Sequence, residues 1–323
     1  MAGLAGAGGT EQPQAAEVQI VHPPGKTRVT APRKGKHVDK RRRSPIPKKQ
    51  ATKTTPTGRL ARPGGAEQED TNTWLIFGFT EGSDVGQKGE RTIFHESIIR
   101  GGGRVAGFSA WDGGTGLGYS VSDRAVISLG AIASTEGSAL EFERGLGVVA
   151  GFKYQFLRRD ESPVGLAAQI SPYAQRFESS AAGHNAFGAE FRLIADRTLI
   201  PDRWFAALNL IYVPQHNAYT DGSVVREAIV EVSGAVSHRL SGDLFVGAEL
   251  RHLNKFHGYG VDRLAGSALY FGPTLFLGIG ENGYLGAAWS VQLAGRSNVD
   301  AVPRLDLESF ERQQFRLKAG ISF

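Results

Sequence analysis

Charged side chains recur at two-residue spacing inside segments that are otherwise apolar. Glu190 and Arg192, for example, alternate with Phe191 and Leu193. In an extended chain alternate side chains share a face, so these charges are predicted to line one polar surface. Reading the whole chain in this way gives the following candidates for that surface: Glu141, Glu143, Lys153, Glu190, Arg192, Asp196, Glu227, Glu231, Arg239, Glu249, Arg251, Lys255, Arg312, Arg316 and Lys318.

Two kinds of chemistry are open to a surface that carries both signs of charge. Rings of charged side chains around a pore bind or select polar solutes. Alternatively, opposite charges on neighbouring strands pair with one another and fill the interior with salt bridges. The pattern by itself leaves both readings open.

Catalysis and metal binding have weaker support. The histidines considered as bases are His184, His216, His238, His252 and His257. They are scattered and none lies in a recognisable nucleophile–base motif, although a serine or aspartate could meet one of them in space. No zinc-ligand spacing, phosphate-binding loop or dinucleotide fingerprint is present, so neither a metal nor a cofactor is predicted. Gly101–Arg104 is better interpreted as a hairpin turn.

The last fifteen residues show which elements position the charges. Arg312, Arg316 and Lys318 alternate with apolar residues up to the end of the chain. The apolar positions of this segment are Phe315, Leu317, Ile321 and the terminal Phe323. This ending resembles the C-terminal signal of bacterial outer-membrane β-barrels. The resemblance implies that the barrel-assembly machinery reads the last strand, which then closes the barrel against the first.

The rest of the chain supports an all-β, transmembrane, antiparallel up-and-down barrel spanning residues 89–323. An even number of strands places both ends of the barrel's chain on the side of the tight turns. The twelve predicted strands are 89–100, 105–121, 125–135, 140–157, 164–178, 186–198, 204–217, 224–240, 244–256, 264–279, 284–296 and 309–323. A soluble sandwich would show the same alternation with the apolar faces hidden, and periodicity cannot separate the two. Pro172, Pro214 and Pro273 fall within strands and are predicted to mark bulges or rims.

Residues 1–72 differ from the remainder. They hold fourteen Lys and Arg against six Asp and Glu, with few large apolar residues, and are predicted to be a disordered basic tail. The tail lacks aromatic interleaving, so no nucleic-acid partner is predicted. Residues 73–88, which include Trp74–Thr80, are interpreted as a connection or plug at the mouth or in the lumen. No signal peptide is visible in Met1–Ile20.

A second resemblance is carried by Gly118–Gly130, a strand–Ser-Asp-Arg–strand hairpin. It is similar to a hairpin of outer-membrane transporters associated with the phenol-degradation meta-pathway.

Together these features predict a barrel in the outer membrane of a Gram-negative cell, with the tail in the periplasm. The predicted function is a passive channel or binding pore for a small solute. Two alternatives are an outer-membrane enzyme acting on lipid through His252 or His257, and a plugged anchor whose tail binds cell wall or anionic lipid. Expected partners are outer-membrane lipid, lipopolysaccharide and the assembly machinery.

Overall fold

The computed structural model shows a closed, antiparallel β-barrel of twelve strands. The residues that it describes are 71–103, 107–137, 142–179, 183–298 and 304–323. The predicted tail, residues 1–72, lies outside this part of the chain up to residue 70. Among the described residues, no helix is long and apolar enough to cross a membrane.

Each strand pairs with its neighbours in sequence, so the topology is up-and-down, and the predicted fold class and strand number are confirmed. The strands are β1 (Arg91–Gly101), β2 (Ser109–Ser122), β3 (Ala125–Gly137), β4 (Phe142–Leu157), β5 (Gly165–Ser179), β6 (His184–Ile200), β7 (Trp204–Tyr219), β8 (Val224–Ser241), β9 (Leu244–His257), β10 (Leu264–Ile279), β11 (Gly283–Ser297) and β12 (Gln313–Ser322).

The first and last strands close the barrel. β1 and β12 pair in one continuous register from Thr92 opposite Ser322 to Gly101 opposite Gln313. Beyond this ladder, Phe323 accepts a bond from the Arg91 amide at 3.1 Å and donates to the Arg91 carbonyl at 3.0 Å. The C-terminal residue is therefore the last pair of the closing seam.

Connections differ between the two ends of the barrel. On the end that holds Arg91 and Phe323, here called the turn side, the connection between β8 and β9 consists only of Gly242 and Asp243. Gly242 has φ +48°, which a residue without a Cβ adopts at little cost. On the other end, the loop side, the connection between β11 and β12 runs from residue 298 to residue 312.

The outward faces of the strands are apolar and the inward faces are mostly polar. Leu146 and Leu129 are 72% and 64% exposed, whereas Arg192 and Arg251 are almost fully buried. A soluble sandwich would bury the leucines and expose the arginines, so this arrangement excludes it. A closed barrel with an apolar exterior pairs every strand inside the sheet, as a lipid bilayer requires.

The three strand prolines mark neither bulges nor rims, which corrects that prediction. Pro172, Pro214 and Pro273 pair normally with one neighbouring strand each. On the other side of each proline the ladder lacks two pairs and then resumes in the same register. Proline has no N–H to donate, so it interrupts the ladder without inserting a residue.

Candidate functional site in the barrel lumen

Residues 71–86, here called the lumenal segment, fold back into the barrel from the turn side. At the mouth, Arg159 Nη2 donates to the carbonyl of Thr71 at 2.7 Å. Residues Trp74–Phe77, Phe79 and Glu81 are almost completely buried inside the barrel. The amide of Gly82 donates to the carbonyl of Trp74 at 3.5 Å, so the two limbs of the segment run side by side.

The tip of the segment is held by Glu249 on β9. One carboxylate oxygen of Glu249 accepts from the amide of Phe79 at 2.7 Å and from that of Thr80 at 3.1 Å. A Cβ added at Gly78 would lie 2.5 Å from the other oxygen of the same carboxylate. A side chain at this position would therefore displace the carboxylate, which satisfies two amides that would otherwise be buried without a partner.

Cations of the barrel wall hold the carbonyls of the same tip. Arg316 donates to the carbonyl of Gly78 at 3.1 Å, and Lys318 donates to the same oxygen at 3.0 Å. Arg192 on β6 reaches the carbonyl of Phe79 at 3.2 Å. Backbone polar groups of the segment are thus bonded by charged side chains from β6, β9 and β12.

Aromatic residues of the segment contact both charges and apolar side chains. The Lys153 ammonium lies 3.9 Å from the centre of the Trp74 ring, and the Arg251 guanidinium lies 3.8 Å from that of Phe79. Trp74 and Phe77 also belong to a buried cluster with inward-facing residues of the wall, which include Val126, Phe205, Phe245, Phe276 and Tyr284. A water-filled lumen would expose these wall aromatics, whereas the segment covers them.

An ion-pair network at the mouth fixes the second limb. Arg159 contacts the carboxylates of both Asp84 and Asp196. Asp84 also accepts from the amide of Thr73 at 2.8 Å. Burial alone would raise the pKa of Asp84, but Arg159 and the Thr73 amide outweigh it and hold this pKa below its usual value.

A second element enters the lumen from the loop side. This loop-side cap, residues 304–312, buries Asp306, Phe310 and Glu311. Glu311 and Asp112 both contact Arg100 of β1, the latter at 2.9 Å. The cap is therefore tied to the wall by a buried arginine with several carboxylate partners.

An unfilled pocket remains between the lumenal segment and the loop-side cap. Phe79 of the segment forms its floor and Phe310 of the cap its roof. The wall contributes apolar side chains and a few polar groups: Ile98, Arg100, Asp112, Ile211, Val213, Ile229, Glu231, Leu253 and Gln314. The space amounts to about 600 Å³, counting the part that is open to solvent.

Comparison with models of protein families shows which family this sequence belongs to. The model described as "Family of unknown function (DUF6662)" matches residues 69–323. The chain belongs to this family. The match covers the lumenal segment together with the barrel and excludes most of the basic tail.

No curated protein shows significant similarity to this DUF6662 member. Among solved structures, it is similar to an outer-membrane channel of Pseudomonas putida F1, with 12% identity, 75% of this chain and 98% of that chain covered, and a TM-score of 0.49. The β domain of the Bordetella autotransporter BrkA has 15% identity and a TM-score of 0.49, with 73% of this chain and 100% of that chain covered. The translocator domain of NalP from Neisseria meningitidis has 15% identity and a TM-score of 0.47, with 75% of this chain and 90% of that chain covered. Values this low carry nothing about function, and the fold rests on the strand pairing of this chain.

Most of the sequence-predicted charges lie buried inside the barrel. They comprise Lys153, Glu190, Arg192, Asp196, Glu227, Glu231, Glu249, Arg251, Lys255, Arg316 and Lys318. Some pair along the wall, as Arg251 does with Glu231 at 2.8 Å, and others bind the lumenal segment. Glu141 lies outside the described residues.

Three of the predicted charges are less buried: Arg312 is exposed, and Glu143 and Arg239 are half-buried. β12 begins at Gln313, and Arg312 is exposed where the loop-side cap joins it. The amide of Arg312 donates to the carbonyl of Gly102 at 3.1 Å on the loop side. The alternation that places Gln314 and Arg316 inward does not extend to a residue that precedes the strand.

Sequence reasoning missed two features of this member of the family. Inward-facing aromatics such as Phe205 and Phe245 break the polar-inside pattern, and their signal is an apolar residue on the inward phase of a strand. His95 and Ser97 were also absent from the candidates. Their signal is a pair of polar residues on the outward phase of β1, between Ile93 and Ile99.

Proposed function

We propose that this protein is an outer-membrane β-barrel of a Gram-negative cell, with its turn side and its N-terminal tail in the periplasm. The apolar exterior and the all-antiparallel closure support a membrane location. Shorter connections on the side of the chain ends support the orientation, because barrels of this kind have short periplasmic turns.

We infer further that the barrel binds a small solute in its lumen and lets it pass when the lumenal segment shifts. The observation that carries this inference is the nature of the closure. The path is blocked by the lumenal segment and the loop-side cap, which lie on either side of an unfilled pocket, and not by side chains of the wall alone. Elements of this kind can move while all twelve strands stay paired.

The lining of the pocket supports a solute class. Its lining is mostly apolar, and its polar members are Arg100, Asp112, Glu231 and Gln314. Binding sites for small molecules combine an apolar lining with a few polar groups that orient the ligand. The solute is therefore a small, largely apolar molecule that carries one polar group. Phenol is an aromatic alcohol, and a solute of this kind is compatible with such a pocket. The narrower relation to transporters of the phenol meta-pathway therefore belongs to the same proposal.

Planar-bilayer recordings of a cysteine pair test the movement of the segment. A Cβ at Gly165 would lie 2.0 Å from Ser83 Oγ, so Ser83→Cys with Gly165→Cys brings two thiols together between the lumenal segment and β5. The chain has no native cysteine, so this disulfide is unambiguous. We expect openings in the reduced protein and a closed barrel after oxidation.

A second pair is the matched control. A Cβ at Gly82 would lie 2.4 Å from Thr73 Oγ1, so Thr73→Cys with Gly82→Cys staples the lumenal segment to itself and leaves the wall free. After oxidation of this pair, channel openings should still be recorded. Equal conductance of the first pair before and after oxidation would contradict gating by the segment.

A complete lack of conductance in every form would instead favour the anchor. In that function the barrel stays plugged and the tail binds cell wall or anionic lipid. Loss of sacculus binding on removal of residues 1–70 would then be the supporting result. Lipopolysaccharide and the barrel-assembly machinery are proposed partners in either case.

A further inference from the structure

A polar cluster lies on the lipid-facing side of the barrel at the β1–β2 hairpin. His95 and Thr115 are exposed, Ser97 is half-buried, and their neighbours on the same face include Ile93 and Leu117. Polar side chains within an apolar belt are costly, and they often mark functional positions. This cluster is on the opposite side of the wall from the lumen, so it is independent of solute passage.

The cluster has the geometry of a nucleophile, a base and an orienting group. His95 Nε2 lies 3.0 Å from Ser97 Oγ, and His95 Nδ1 lies 2.8 Å from Thr115 Oγ1. Both distances are within hydrogen-bond reach. A serine bonded to one ring nitrogen of a histidine, with a third group bonded to the other, is the arrangement that activates a serine for acyl transfer.

The hydrogen bonds allow the tautomer that this chemistry needs. Trp111 Nε1 donates to Ser97 Oγ at 3.2 Å, and an indole nitrogen can only donate. This bond leaves the Ser97 proton available to His95 Nε2. In the tautomer that accepts it, the ring proton is on Nδ1 and is donated to Thr115 Oγ1.

The strand register explains why these groups meet. His95 lies directly opposite Thr115, and Ser97 lies opposite Gly113. The indole of Trp111 covers Gly113, because a Cβ there would lie 2.3 Å from the ring. The missing side chain thus allows the indole N–H to reach Ser97.

The depth of the cluster matches the region of lipid ester bonds. Ile99 lies opposite both Trp111 and Phe315, and Phe315 lies opposite Trp289. Aromatic residues of this kind form the girdle at the membrane interface. Ser97 is two residues nearer the turn side, which is about 5 Å deeper for a tilted strand.

We propose that Ser97, His95 and Thr115 form a lipid-facing esterase site that cleaves ester-linked acyl chains of membrane lipids. Ser97 is the nucleophile and His95 the base. Thr115 is a positioning residue that holds the His95 ring.

Each step of the reaction balances. Ser97 Oγ attacks the ester carbonyl carbon while its proton passes to His95 Nε2. The tetrahedral intermediate expels the lipid alcohol, which takes that proton and leaves an acyl group on Ser97. Water then attacks this acyl group with His95 as base, and the fatty acid leaves as Ser97 recovers its proton. The net reaction consumes one ester and one water and gives one alcohol and one acid.

The test uses the full-length protein refolded in lipid vesicles, with a fluorophosphonate probe for the nucleophile and fatty-acid release for turnover. Vesicles of phospholipid alone and vesicles that contain lipopolysaccharide distinguish the two sources of ester. We expect the probe on Ser97 and fatty-acid release from at least one vesicle type. Ser97→Ala should abolish both, and His95→Asn should lower the rate about 100-fold or more.

Three further variants separate chemistry from structure. His252, which is exposed on β9 beside Asn254, provides the matched control, and His252→Ala should leave the rate unchanged. Thr115→Val should lower the rate about tenfold, whereas Thr115→Ser, which keeps the hydroxyl, should restore it. Heat-modifiable migration on a gel checks that each variant is folded.

Three outcomes would overturn the proposal. One is the absence of both labelling and fatty-acid release in the folded wild-type protein. Another is attachment of the probe to a different serine. The third is undiminished fatty-acid release by folded Ser97→Ala.

Discussion

Three charged side chains of the barrel wall bind backbone groups of the lumenal segment. Glu249 accepts two amides of the lumenal segment, while Arg316 and Lys318 bond its carbonyls. Hydrogen bonds to charged partners in a buried setting are stronger than neutral ones. The segment is therefore held most firmly where its tip meets these three side chains.

Replacing Glu249 with Gln tests that anchor. The neutral amide keeps one acceptor oxygen but loses the charge, so the bound state of the segment should weaken by about 2 kcal/mol. This corresponds to about a 30-fold rise in the open fraction. Maleimide labelling of a Ser83→Cys background measures it, because Ser83 is buried in the closed barrel.

Glu227→Gln is the matched control for this experiment. Glu227 is also a buried inward-facing carboxylate, but it pairs with Lys255 at 2.9 Å on the loop side of the lumen. Its replacement should leave the labelling of Cys at position 83 unchanged. Equal labelling rates in Glu249→Gln and the unmodified background would show that Glu249 is not an anchor.

The inward direction of these charges follows from alternation alone, but their partners do not. Sequence spacing shows that Arg316 and Lys318 share a face, because successive side chains of a strand alternate. It cannot show that they bind carbonyls of Phe77 and Gly78, since backbone groups have no signature in a sequence. The sequence therefore leaves pore lining and internal pairing both open.

Among the elements of the barrel, the loop-side cap depends on one buried cation. Arg100 contacts Asp112, Glu136 and Glu311 with little exposure of its own side chain. Removing one partner of a buried ion pair leaves uncompensated charge and costs about 3–5 kcal/mol. The pair of Arg124 with Glu161 is exposed, and a salt bridge of this kind contributes about 0–1 kcal/mol to stability.

Arg100→Met should consequently lower the midpoint of heat-induced unfolding by roughly 10 °C, since 1 kcal/mol is worth about 2–4 °C at this chain size. Arg124→Ala should change the midpoint by a few degrees at most. Gel migration after heating at stepped temperatures measures both variants. A similar shift for the two would refute a special role of the buried pair.

Strand positions could be predicted closely, because a two-residue period and polar turns mark them. The second and last strands deviate most: they are predicted from residues 105 and 309 but begin at Ser109 and Gln313. Phe310 and Glu311 are out of phase with the alternation of Phe315 to Phe323, are both buried, and belong to the loop-side cap. The phase break marks the end of the regular pattern, but a sequence cannot show that the residues before it fold into the lumen.

For the molecule as a whole, the closing seam contains the C-terminal strand, which is also the segment predicted to be recognised during assembly. Phe323 forms the last backbone pair with Arg91, and its side chain faces outward with 62% exposure. A role in recognition by the assembly machinery, shared with Phe315, Leu317 and Ile321, remains a prediction. The exposed ring contributes little to packing, so recognition and stability can be separated.

Phe323→Ala should reduce the amount of folded barrel in cells while leaving refolding in detergent unaffected. The backbone pair with Arg91 does not need the ring, whereas a receptor for the C-terminal strand would. Leu293→Ala, which removes an outward apolar side chain of β11 that is 56% exposed, is the control for lost lipid contact. Equal losses in cells for both variants would contradict the assembly role.

Closure of the pore by the chain's own lumenal segment is the central claim, and its removal tests that claim most directly. Planar-bilayer conductance should be compared between the full chain and a chain that lacks residues 71–86, after gel migration has shown that both barrels are folded. We predict a low or intermittent conductance for the full chain and a larger, steady conductance for the deletion. A folded deletion variant that conducts no better than the full chain would contradict the account.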